Sequence, residues 1–364
     1  MSNWQKSILL LKITAIVSIV FGSSNKIAVP LFLFSGQSNM VGLGTKTSDL
    51  SSEEKEEIDN IKIYLETEGR NLGEWATFGP GFGGMNGGGF GVELFFGRVL
   101  ADSMPDTKLA FIKDAKSASP LGQSSGWLPP SSGGPGTLYR NLMDHIDEAL
   151  EKFNDAFDTS KYFPRWAGFV WHQGEIDATN SSSANSYEEN LTNLIKDLRT
   201  MAEDDSMPAI IPMINQGTGG MTWNYIDIVH AAEIATAEKL HNCDTTYLKD
   251  YNLSDGVHYD NPSMKKLGTN SALRWLAMEY TKHWWDDTIT SPIVYQSSTI
   301  SVTNSTRNSS FFDLSGRRVK THGSFFADRS RHTFPPMILI QSGTAESGKW
   351  SDSKSMNLLI RRKF

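Results

Sequence analysis

Residues 27–40 read IAVPLFLFSGQSNM, in which a continuous apolar run ends abruptly in a small polar cluster. An apolar run of this length is typical of a strand that is buried on both faces of a parallel sheet. We therefore predict a strand over residues 27–34. Its end has two interpretations: an ordinary turn, because Gly and Ser commonly end strands, or a site that presents Ser38 at the carboxyl edge of the sheet, where α/β proteins bind ligands.

Four further apolar runs predict strands of the same sheet, at residues 109–113, 167–171, 209–214 and 245–249. Apolar residues recur every three or four positions between them, which predicts helices at residues 90–102, 138–153, 187–201, 223–240 and 263–285. Strands that alternate with helices indicate βαβ units. The sequence therefore predicts an α/β fold whose parallel sheet is covered by helices on both faces.

The long segment between the first two predicted strands holds an acidic run, residues 51–57, and a glycine-rich run, residues 78–91. We interpret the first as a solvated helical turn and the second as a loop. The glycine-rich run lacks the Gly-Lys-Ser/Thr ending of a phosphate-binding loop, and residues 36–44 do not match a dinucleotide fingerprint. No nucleotide cofactor is indicated.

The composition limits the class of protein. A net charge of −7 argues against a nucleic-acid-binding protein. The single cysteine, Cys243, excludes a disulfide framework and a cysteine-based metal site. Apolar residues make up 39% of the chain, which is enough for a substantial core.

The two ends of the chain differ from its middle. Residues 1–24 carry Lys6 and Lys12 beside an apolar run that is followed by small residues, which predicts a secretory signal peptide; a helix of the fold is the alternative. Residues 25–287 form the predicted α/β domain, residues 288–310 a linker rich in Ser, Thr and Asn, and residues 311–364 a small β-like tail. Residues 301–364 hold 11 Lys/Arg against 4 Asp/Glu, so this part is basic.

Three predicted strand ends carry polar clusters that could perform chemistry: SGQSN at 35–39, HQGEID at 172–177 and SDGVHYD at 254–260. A serine becomes a nucleophile when a base takes its proton and a carboxylate orients that base. His258 and Asp255 can supply both to Ser38, because residues three apart can face the same way. Candidate donors to an oxyanion are the Ser38 backbone N–H, the Gln173 side chain and a backbone N–H of the loop at 116–119.

Other interpretations of the same residues stay open. Ser38 and His258 are each common in ordinary turns and surfaces. A metal site could use His172, Asp255, His258 and Asp260, although their spacing matches no zinc pattern. Glu175 and Asp177 could form a paired-carboxylate acid–base site. Trp75, Trp127 and Trp223 could hold a sugar chain, or they could pack in the core.

The three clusters, in this order, resemble the signature blocks of SGNH-type hydrolases. The closest likeness is to the sialate O-acetylesterase-like branch, which includes the acetylxylan esterases of carbohydrate esterase family 6, and it covers residues 27–285. The resemblance implies a three-layer, flavodoxin-like α/β/α sandwich with a five-stranded parallel sheet. It also implies deacetylation of carbohydrate esters without a metal or any other cofactor.

Carried over to this sequence, the resemblance implies that Ser38 is the nucleophile, His258 the base and Asp255 its orienter. Gln173 stands where the superfamily has an asparagine oxyanion donor, and Glu175 is a supporting residue that contacts the catalytic histidine. The further supporting residues are Gly36, Asn39 and His172. One signature block differs from the family pattern. The family has a Gly-Gly-Thr-Ser-like turn after the second strand, whereas this chain has KSAS at 116–119. We expect Ser117 or Ala118 to give an oxyanion N–H there, with a glycine-specific φ angle lost.

The resemblance predicts a secreted serine esterase, at the cell surface or periplasmic in a bacterium, that deacetylates plant cell-wall polysaccharide, above all acetylxylan. A sialate O-acetylesterase and a carbohydrate-binding protein without turnover are the alternatives. Residues 311–364 resemble C-terminal sorting domains of some Gram-negative bacteria, so the secretion machinery is a possible partner. Nucleic acid, and a membrane after signal removal, are not expected partners.

Overall fold

The computed structural model describes residues 26–67, 70–218 and 223–282, together with four two-residue strands nearer the C-terminus. The main sheet contains β1 (Ile27–Gly36), β2 (Ile58–Thr67), β3 (Arg70–Phe78), β4 (Leu109–Ala115), β5 (Tyr162–His172), β6 (Ala209–Pro212) and β7 (Cys243–Thr246). The helices are α1 (Ser38–Val41), α2 (Val92–Ser103), α3 (Thr137–Glu151), α4 (Ser181–Met201), α5 (Ile226–Lys239), α6 (Asn261–Ala277) and α7 (Glu279–Lys282). The short strands are β8 (Ser301–Val302), β9 (Phe311–Phe312), β10 (Ile340–Gln341) and β11 (Met356–Asn357), which pair as β8 with β11 and β9 with β10.

The sheet has the order β3-β2-β4-β1-β5-β6-β7. All five predicted strands are present, as β1, β4, β5, β6 and β7, and neighbouring members of this set pair in parallel. The α/β prediction is therefore confirmed. In chain order these five strands are arranged 2-1-3-4-5, which is the flavodoxin-like arrangement.

The predicted number of strands was wrong, because the sheet has seven. β2 adds in parallel beside β4, and β3 folds back on β2 as an antiparallel edge strand. Ile61, Ile63 and Leu65 alternate along β2 and are buried on one face of the sheet, while Tyr64 is buried on the other. Polar residues interrupt this alternation in the sequence, so β2 does not read as a continuous apolar run.

β1 lies at the centre of a three-layer sandwich. Its Leu31 and Leu33 pack on one face of the sheet with the helices α3, α4 and α5, whereas Phe32 and Phe34 pack on the other face with α2 and α6. The Phe32 ring meets Trp275 of α6 edge to face at 4.9 Å between ring centroids. The alternation of side chains along a strand thus lets one apolar run fill both halves of the core.

Two helix starts are set by caps. The Asn180 side chain accepts hydrogen bonds from the backbone N–H groups of Ser182 and Ser183, which starts α4 earlier than predicted. The Asp260 side chain accepts from Ser263 N at the start of α6. The last predicted helix is divided by Met278, which leaves the helical conformation between α6 and α7.

The order of the strands places the carboxyl end of β1 at a switch point, with β4 on one side and β5 on the other. Ligand sites of open α/β sheets lie at such points. The predicted signal peptide and most of the predicted linker and tail lie outside the described residues. Within the described part of the chain, no helix is both long and apolar enough to span a membrane.

Candidate active site

The turn after β1 holds Ser38 at the carboxyl edge of the sheet. Gly36 has a φ of +152°, and a Cβ atom at this position would lie 2.1 Å from the carbonyl oxygen of His172, so only glycine fits. Gln37 N donates a 3.1 Å hydrogen bond to that same oxygen. The short helix α1 begins at Ser38 and ends at Val41, and it is capped by Gly42, whose φ is +87°. The chain therefore reverses sharply here, and Ser38 keeps only 5% of its surface exposed.

Asp255 and His258 form the pair that the sequence predicts. His258 Nδ1 lies 2.7 Å from Asp255 Oδ2, while Asp255 Oδ1 accepts from the backbone N–H groups of His258 at 2.8 Å and Val257 at 3.0 Å. Partial burial acts to raise the pKa of Asp255, but these hydrogen bonds outweigh it and hold the pKa below its usual value. With Nδ1 donating to an ionised carboxylate, Nε2 is left as the ring nitrogen that can take a proton.

Asn39 brings the serine and histidine segments together. Its Oδ1 accepts a 3.0 Å hydrogen bond from Tyr259 N, and its Nδ2 donates a 2.7 Å hydrogen bond to Glu175 Oε1. Ser38 and His258 directly precede Asn39 and Tyr259, so the same contacts hold the three predicted catalytic residues in one place. Among the described residues, no hydrogen bond joins Ser38 Oγ to His258; such bonds are often long without a bound substrate.

Gln173 lies in a buried network beside Ser38. Its Nε2 lies 2.6 Å from Asp177 Oδ2, 2.9 Å from the Ser119 carbonyl oxygen and 3.2 Å from Gln37 Oε1. Asp177 also accepts hydrogen bonds from the backbone N–H groups of two residues in the loop after β4, Leu121 and Gly122. Burial raises the pKa of Asp177 against the effect of these donors. The oxyanion role of Gln173 stays a prediction, and its amide nitrogen already has protein acceptors.

The loop after β4 keeps a left-handed residue without a glycine. Ala118 has a φ of +49°, so the expectation that this conformation is lost with the glycine was wrong. Ser119 Oγ donates to the Lys116 carbonyl oxygen and accepts from Trp127 Nε1, both at 2.6 Å, and these bonds hold the turn. The surrounding contacts therefore impose the conformation. The oxyanion roles of Ser117 and Ala118 stay predictions.

The supporting residues have structural partners. Glu175 bonds to Asn39, whereas we expected it to contact the catalytic histidine. His172 is fully buried and its Nδ1 lies 2.6 Å from the Pro212 carbonyl oxygen, to which it donates. Burial lowers the pKa of His172 and keeps the ring neutral. Among the described hydrogen bonds, Glu175 thus reaches the histidine segment through Asn39.

The alternative metal and paired-carboxylate sites do not assemble. His172 Nδ1 bonds to the Pro212 carbonyl oxygen and Asp260 caps α6, so both side chains have structural partners. No group of three or more His, Cys, Asp or Glu side chains within residues 26–67, 70–218 and 223–282 is placed to hold a metal ion. Glu175 and Asp177 are both buried and bind different parts of the protein.

The glycine-rich run packs against the serine turn, a role that the sequence did not reveal. Gly84 N donates a 2.7 Å hydrogen bond to the Val41 carbonyl oxygen. Lys113 Nζ, fully buried on β4, donates to the Phe82 carbonyl oxygen at 2.8 Å and lies 2.7 Å from Glu93 Oε1. A lysine within the apolar run of β4 was the signal for this contact, because a buried lysine needs a partner.

The three tryptophans that could hold sugar are packed into the protein. Trp127 is fully buried and Trp223 is 7% exposed. The half-buried Trp75 meets Phe153 and Phe157 of the core and donates from Nε1 to the Ala149 carbonyl oxygen. They therefore belong to the core and not to a sugar-binding surface.

Residues 28–277 match the family model described as "Carbohydrate esterase, sialic acid-specific acetylesterase". The chain belongs to this family.

Individual relatives of this chain agree with the match. A probable carbohydrate esterase from Arabidopsis thaliana is 30% identical over 153 residues, which span 42% of this chain and 55% of that protein. The chain thus aligns in sequence with about half the length of this curated relative. A crystal structure of this same Arabidopsis thaliana protein superposes with a TM-score of 0.53 at 22% identity, covering 68% of this chain and 97% of that one.

A second solved structure is that of a carbohydrate acetylesterase from Xanthomonas citri. It superposes with a TM-score of 0.51 at 19% identity, covering 78% of this chain and 60% of that one. At these identities, both structures support the fold alone.

Proposed function

We propose that this carbohydrate esterase removes O-acetyl groups from plant cell-wall polysaccharide, with acetylxylan as its substrate, through an acetyl-enzyme on Ser38. The observation that carries the proposal is the 2.7 Å contact between His258 Nδ1 and Asp255 Oδ2, which Asn39 ties to the serine turn. A serine, a histidine and a carboxylate in this relation are the parts that acyl transfer requires.

In the proposed reaction, Ser38 Oγ attacks the acetyl carbonyl carbon while His258 Nε2 takes the hydroxyl proton. Negative charge develops on the carbonyl oxygen, where the Ser38 backbone N–H at the start of α1 can donate. The tetrahedral intermediate collapses, the bond to the sugar oxygen breaks, and His258 protonates that oxygen. Water then repeats the cycle on the acetyl-enzyme and releases acetate. Asp255 holds the ring in the required tautomer and stabilises its charged form.

The openness of the site supports a polymeric substrate. The Asp255 side chain is 52% exposed and that of His258 16% exposed, so the base and its carboxylate lie at the protein surface. A polysaccharide chain can lie across such an edge without entering a deep pocket. The resemblance of the three signature blocks to acetylxylan esterases supports xylan in particular.

A sialate O-acetylesterase is the second candidate function, because the matching family model is described as specific for sialic acid. Both candidates use the same chemistry and differ only in the sugar that carries the acetyl group. A carbohydrate-binding protein without turnover is the third interpretation.

The test measures acetate release from acetylated xylan and from O-acetylated sialic acid, with wild type, Ser38→Ala and a control, Ser48→Ala. Ser48 is exposed; its side chain donates to the neighbouring Asp49, and its backbone oxygen, which the substitution keeps, accepts from Lys55. Loss of a triad residue should cost at least about 10³-fold in rate, so we expect Ser38→Ala to lose activity on xylan while Ser48→Ala keeps it. Equal activity of Ser38→Ala and wild type contradicts the nucleophile. Activity on sialate esters alone contradicts xylan as the substrate, and binding without acetate release supports the third interpretation.

The sequence of residues 1–24 supports export from the cytoplasm, so we place the enzyme outside the cell, at its surface or in the periplasm of a bacterium. The basic tail could engage a secretion machinery. Expression of the full chain, with and without residues 1–24, followed by assay of esterase activity in cytoplasm, periplasm and medium, tests this placement. Activity that stays cytoplasmic with the intact chain contradicts it.

A further inference from the structure

The direction of the Gln173 side-chain amide is fixed by its surroundings. The Ser119 carbonyl oxygen, 2.9 Å from Nε2, can only accept a hydrogen bond, so the nitrogen must face it. Asp177 Oδ2 lies 2.6 Å from the same nitrogen, and the Tyr187 hydroxyl lies 3.1 Å from Oε1. An amide nitrogen has two hydrogens. The Ser119 carbonyl oxygen, Asp177 Oδ2 and, at 3.2 Å, Gln37 Oε1 therefore share these two hydrogens, and the donor capacity of Gln173 is used inside the protein.

The Gln173 amide in turn fixes the direction of Gln37. Gln37 Oε1 faces two donors, Gln173 Nε2 at 3.2 Å and the backbone N–H of Ile176 at 3.4 Å. A backbone N–H can only donate, so the oxygen of the Gln37 amide must point inward and its nitrogen outward. Asp177, Gln173 and Gln37 thus form a chain of hydrogen bonds that ends in the –NH2 group of Gln37.

The nitrogen of Gln37 is a donor without a described acceptor. Only 4% of the Gln37 surface is exposed, yet within the described residues no hydrogen bond leaves Nε2 and this nitrogen is not among the fully buried polar atoms. It therefore reaches solvent at the carboxyl edge of the sheet, on the residue that directly precedes Ser38. A nearly buried amide with open donors is unusual, because such groups are normally satisfied within the protein.

We propose that Gln37 Nε2 donates a hydrogen bond to the carbonyl oxygen of the acetyl group as that oxygen becomes an oxyanion, in place of Gln173. The proposal rests on the esterase reaction proposed above. When Ser38 Oγ bonds to the carbonyl carbon, the carbonyl π electrons move onto oxygen and the –NH2 group stabilises their charge. When this electron pair returns from the oxygen to re-form the carbonyl bond, the bond to the sugar oxygen breaks and His258 protonates the leaving oxygen. Gln37 exchanges no proton.

The chain of amides suits this role because it is organised before the substrate arrives. Donors that are already oriented stabilise a developing charge without reorganisation, which makes them more effective than water. Asp177 and the Ser119 carbonyl orient Gln173, and Gln173 orients Gln37. Gln173 is then a positioning residue, while Gln37 is the residue that touches the substrate.

Gln37→Glu tests the assignment with little change of shape. A carboxylate keeps both inward contacts, since it can accept from Gln173 and Ile176, but it has no hydrogens to donate outward. We expect kcat for acetyl-ester hydrolysis to fall by about 10²–10³ with KM little changed, because the lost interaction forms in the transition state. The probe is p-nitrophenyl acetate. The affinity for a boronic acid that forms a tetrahedral adduct on Ser38 should fall by a similar factor.

Gln123→Glu is the matched control, because Gln123 is exposed and its side chain has no described hydrogen bond. It introduces the same charge on the surface and should keep wild-type kcat and unfolding temperature, whereas the carboxylate of Gln37→Glu is nearly buried, so this variant is assayed at a temperature where it is fully folded. A second variant, Gln37→Met, removes the donor without adding charge and should also lower kcat.

Three results would overturn the role of Gln37: unchanged kcat in both Gln37 variants, a rise in KM alone, which indicates contact with the sugar, or unchanged boronic-acid affinity. Failure of the esterase reaction itself is recognised separately. In that case wild type hydrolyses no acetyl ester, or Ser38→Ala hydrolyses it equally well.

Discussion

Asn39 and Tyr259 are 220 positions apart in the chain, and a 3.0 Å hydrogen bond joins the Asn39 side-chain oxygen to the Tyr259 backbone N–H. The nitrogen of the same side chain bonds to Glu175. Ser38 and His258 each come one residue before this pair. One amide therefore sets the separation between the proposed nucleophile and the proposed base.

Asn39→Ala should impair catalysis by more than its effect on folding explains. Without the amide, the histidine segment is free to shift, and a misplacement of about 1 Å can cost about 10² in rate. Glu175 also loses its described partner, which should cost about 1–3 kcal/mol of unfolding free energy. The measurements are kcat/KM for an acetyl ester and urea unfolding.

The control for Asn39 is Asn60→Ala. Asn60 donates to carbonyl oxygens of Met104 and Thr107 at the opposite edge of the sheet. The Asn60→Ala variant should lose about as much unfolding free energy as Asn39→Ala and keep wild-type kcat/KM. If both variants lose activity in proportion to stability, Asn39 has no special role in positioning.

Ala118 should tolerate glycine and reject a β-branched residue. Its φ of +49° is unfavourable for any residue with a Cβ atom and more so for valine. Relief of this strain in Ala118→Gly is offset by the greater freedom of glycine in the unfolded chain, so the variant should lie within about 1 kcal/mol of wild type. Ala118→Val should lose about 1–3 kcal/mol.

Urea unfolding measures both Ala118 variants, with Ala28→Val in the extended backbone of β1 as the control for added volume. If Ala118→Val and Ala28→Val change the free energy of unfolding equally, the backbone at position 118 is not strained by its positive φ.

The central strands of the fold could be predicted because each is indicated by its own short stretch of sequence. β1, β4 and β5 are buried on both faces at their carboxyl ends, so each sequence contains a run of consecutive apolar residues. β2 is also buried, but Asp59, Asn60 and Lys62 break its run, and its pairing with β3 and β4 depends on residues far away in the chain. Sequence alone therefore yields five strands and misses β2 and the edge strand β3.

In the candidate site, too, features within one short segment could be predicted, whereas contacts between distant segments could not. Ser38, Asp255 and His258 could be proposed because each lies in a short motif, and the Asp255–His258 contact spans only three residues. The contact of Asn39 with Glu175 joins positions 136 apart, and no local pattern indicates it. The orientation of Gln37 likewise depends on Gln173, which is brought to it by the pairing of β1 with β5.

The His145–Asp114 pair, on α3 and β4, should make stability depend on pH. His145 Nδ1 lies 2.7 Å from Asp114 Oδ2 and its Nε2 lies 4.0 Å from Glu66 Oε2. Burial acts to lower the pKa of His145, but Asp114, Glu66 and Glu148 outweigh it and raise the pKa. A raised pKa in the folded state gives stability that is complete below the unfolded value of about 6.5 and is lost as the pH rises through the folded value.

Asp114→Asn removes the main charge that holds this proton. Burial raises the pKa of Asp114 itself, which gives a contribution of the same sign. We therefore expect wild type to be most stable relative to Asp114→Asn at about pH 5–6 and to lose this advantage toward about pH 9. Thermal unfolding at several pH values measures it, with the exposed Asp106→Asn as a control whose difference from wild type stays flat. An advantage that grows with pH would contradict the raised pKa.

Lys113→Met should destabilise the protein and loosen the serine turn. Lys113 and Glu93 form a 2.7 Å ion pair with side chains that are 0% and 1% exposed, so loss of the lysine leaves a buried carboxylate without its cation. Such a loss costs about 3–5 kcal/mol, whereas replacement of both partners by apolar residues is often nearly neutral. The double variant Lys113→Met/Glu93→Met should therefore be more stable than Lys113→Met alone, even though Gly91 N loses its Glu93 acceptor.

Urea unfolding of the wild type, the two single variants and the double variant gives the coupling between Lys113 and Glu93. Activity provides the second measurement. Lys113 also holds the Phe82 carbonyl oxygen of the glycine-rich run, which packs on the serine turn through Gly84 and Val41. Both variants that lack Lys113 should therefore show lower kcat at temperatures where they are fully folded. Additive stability changes together with wild-type kcat would show that the ion pair neither stabilises the core nor positions Ser38.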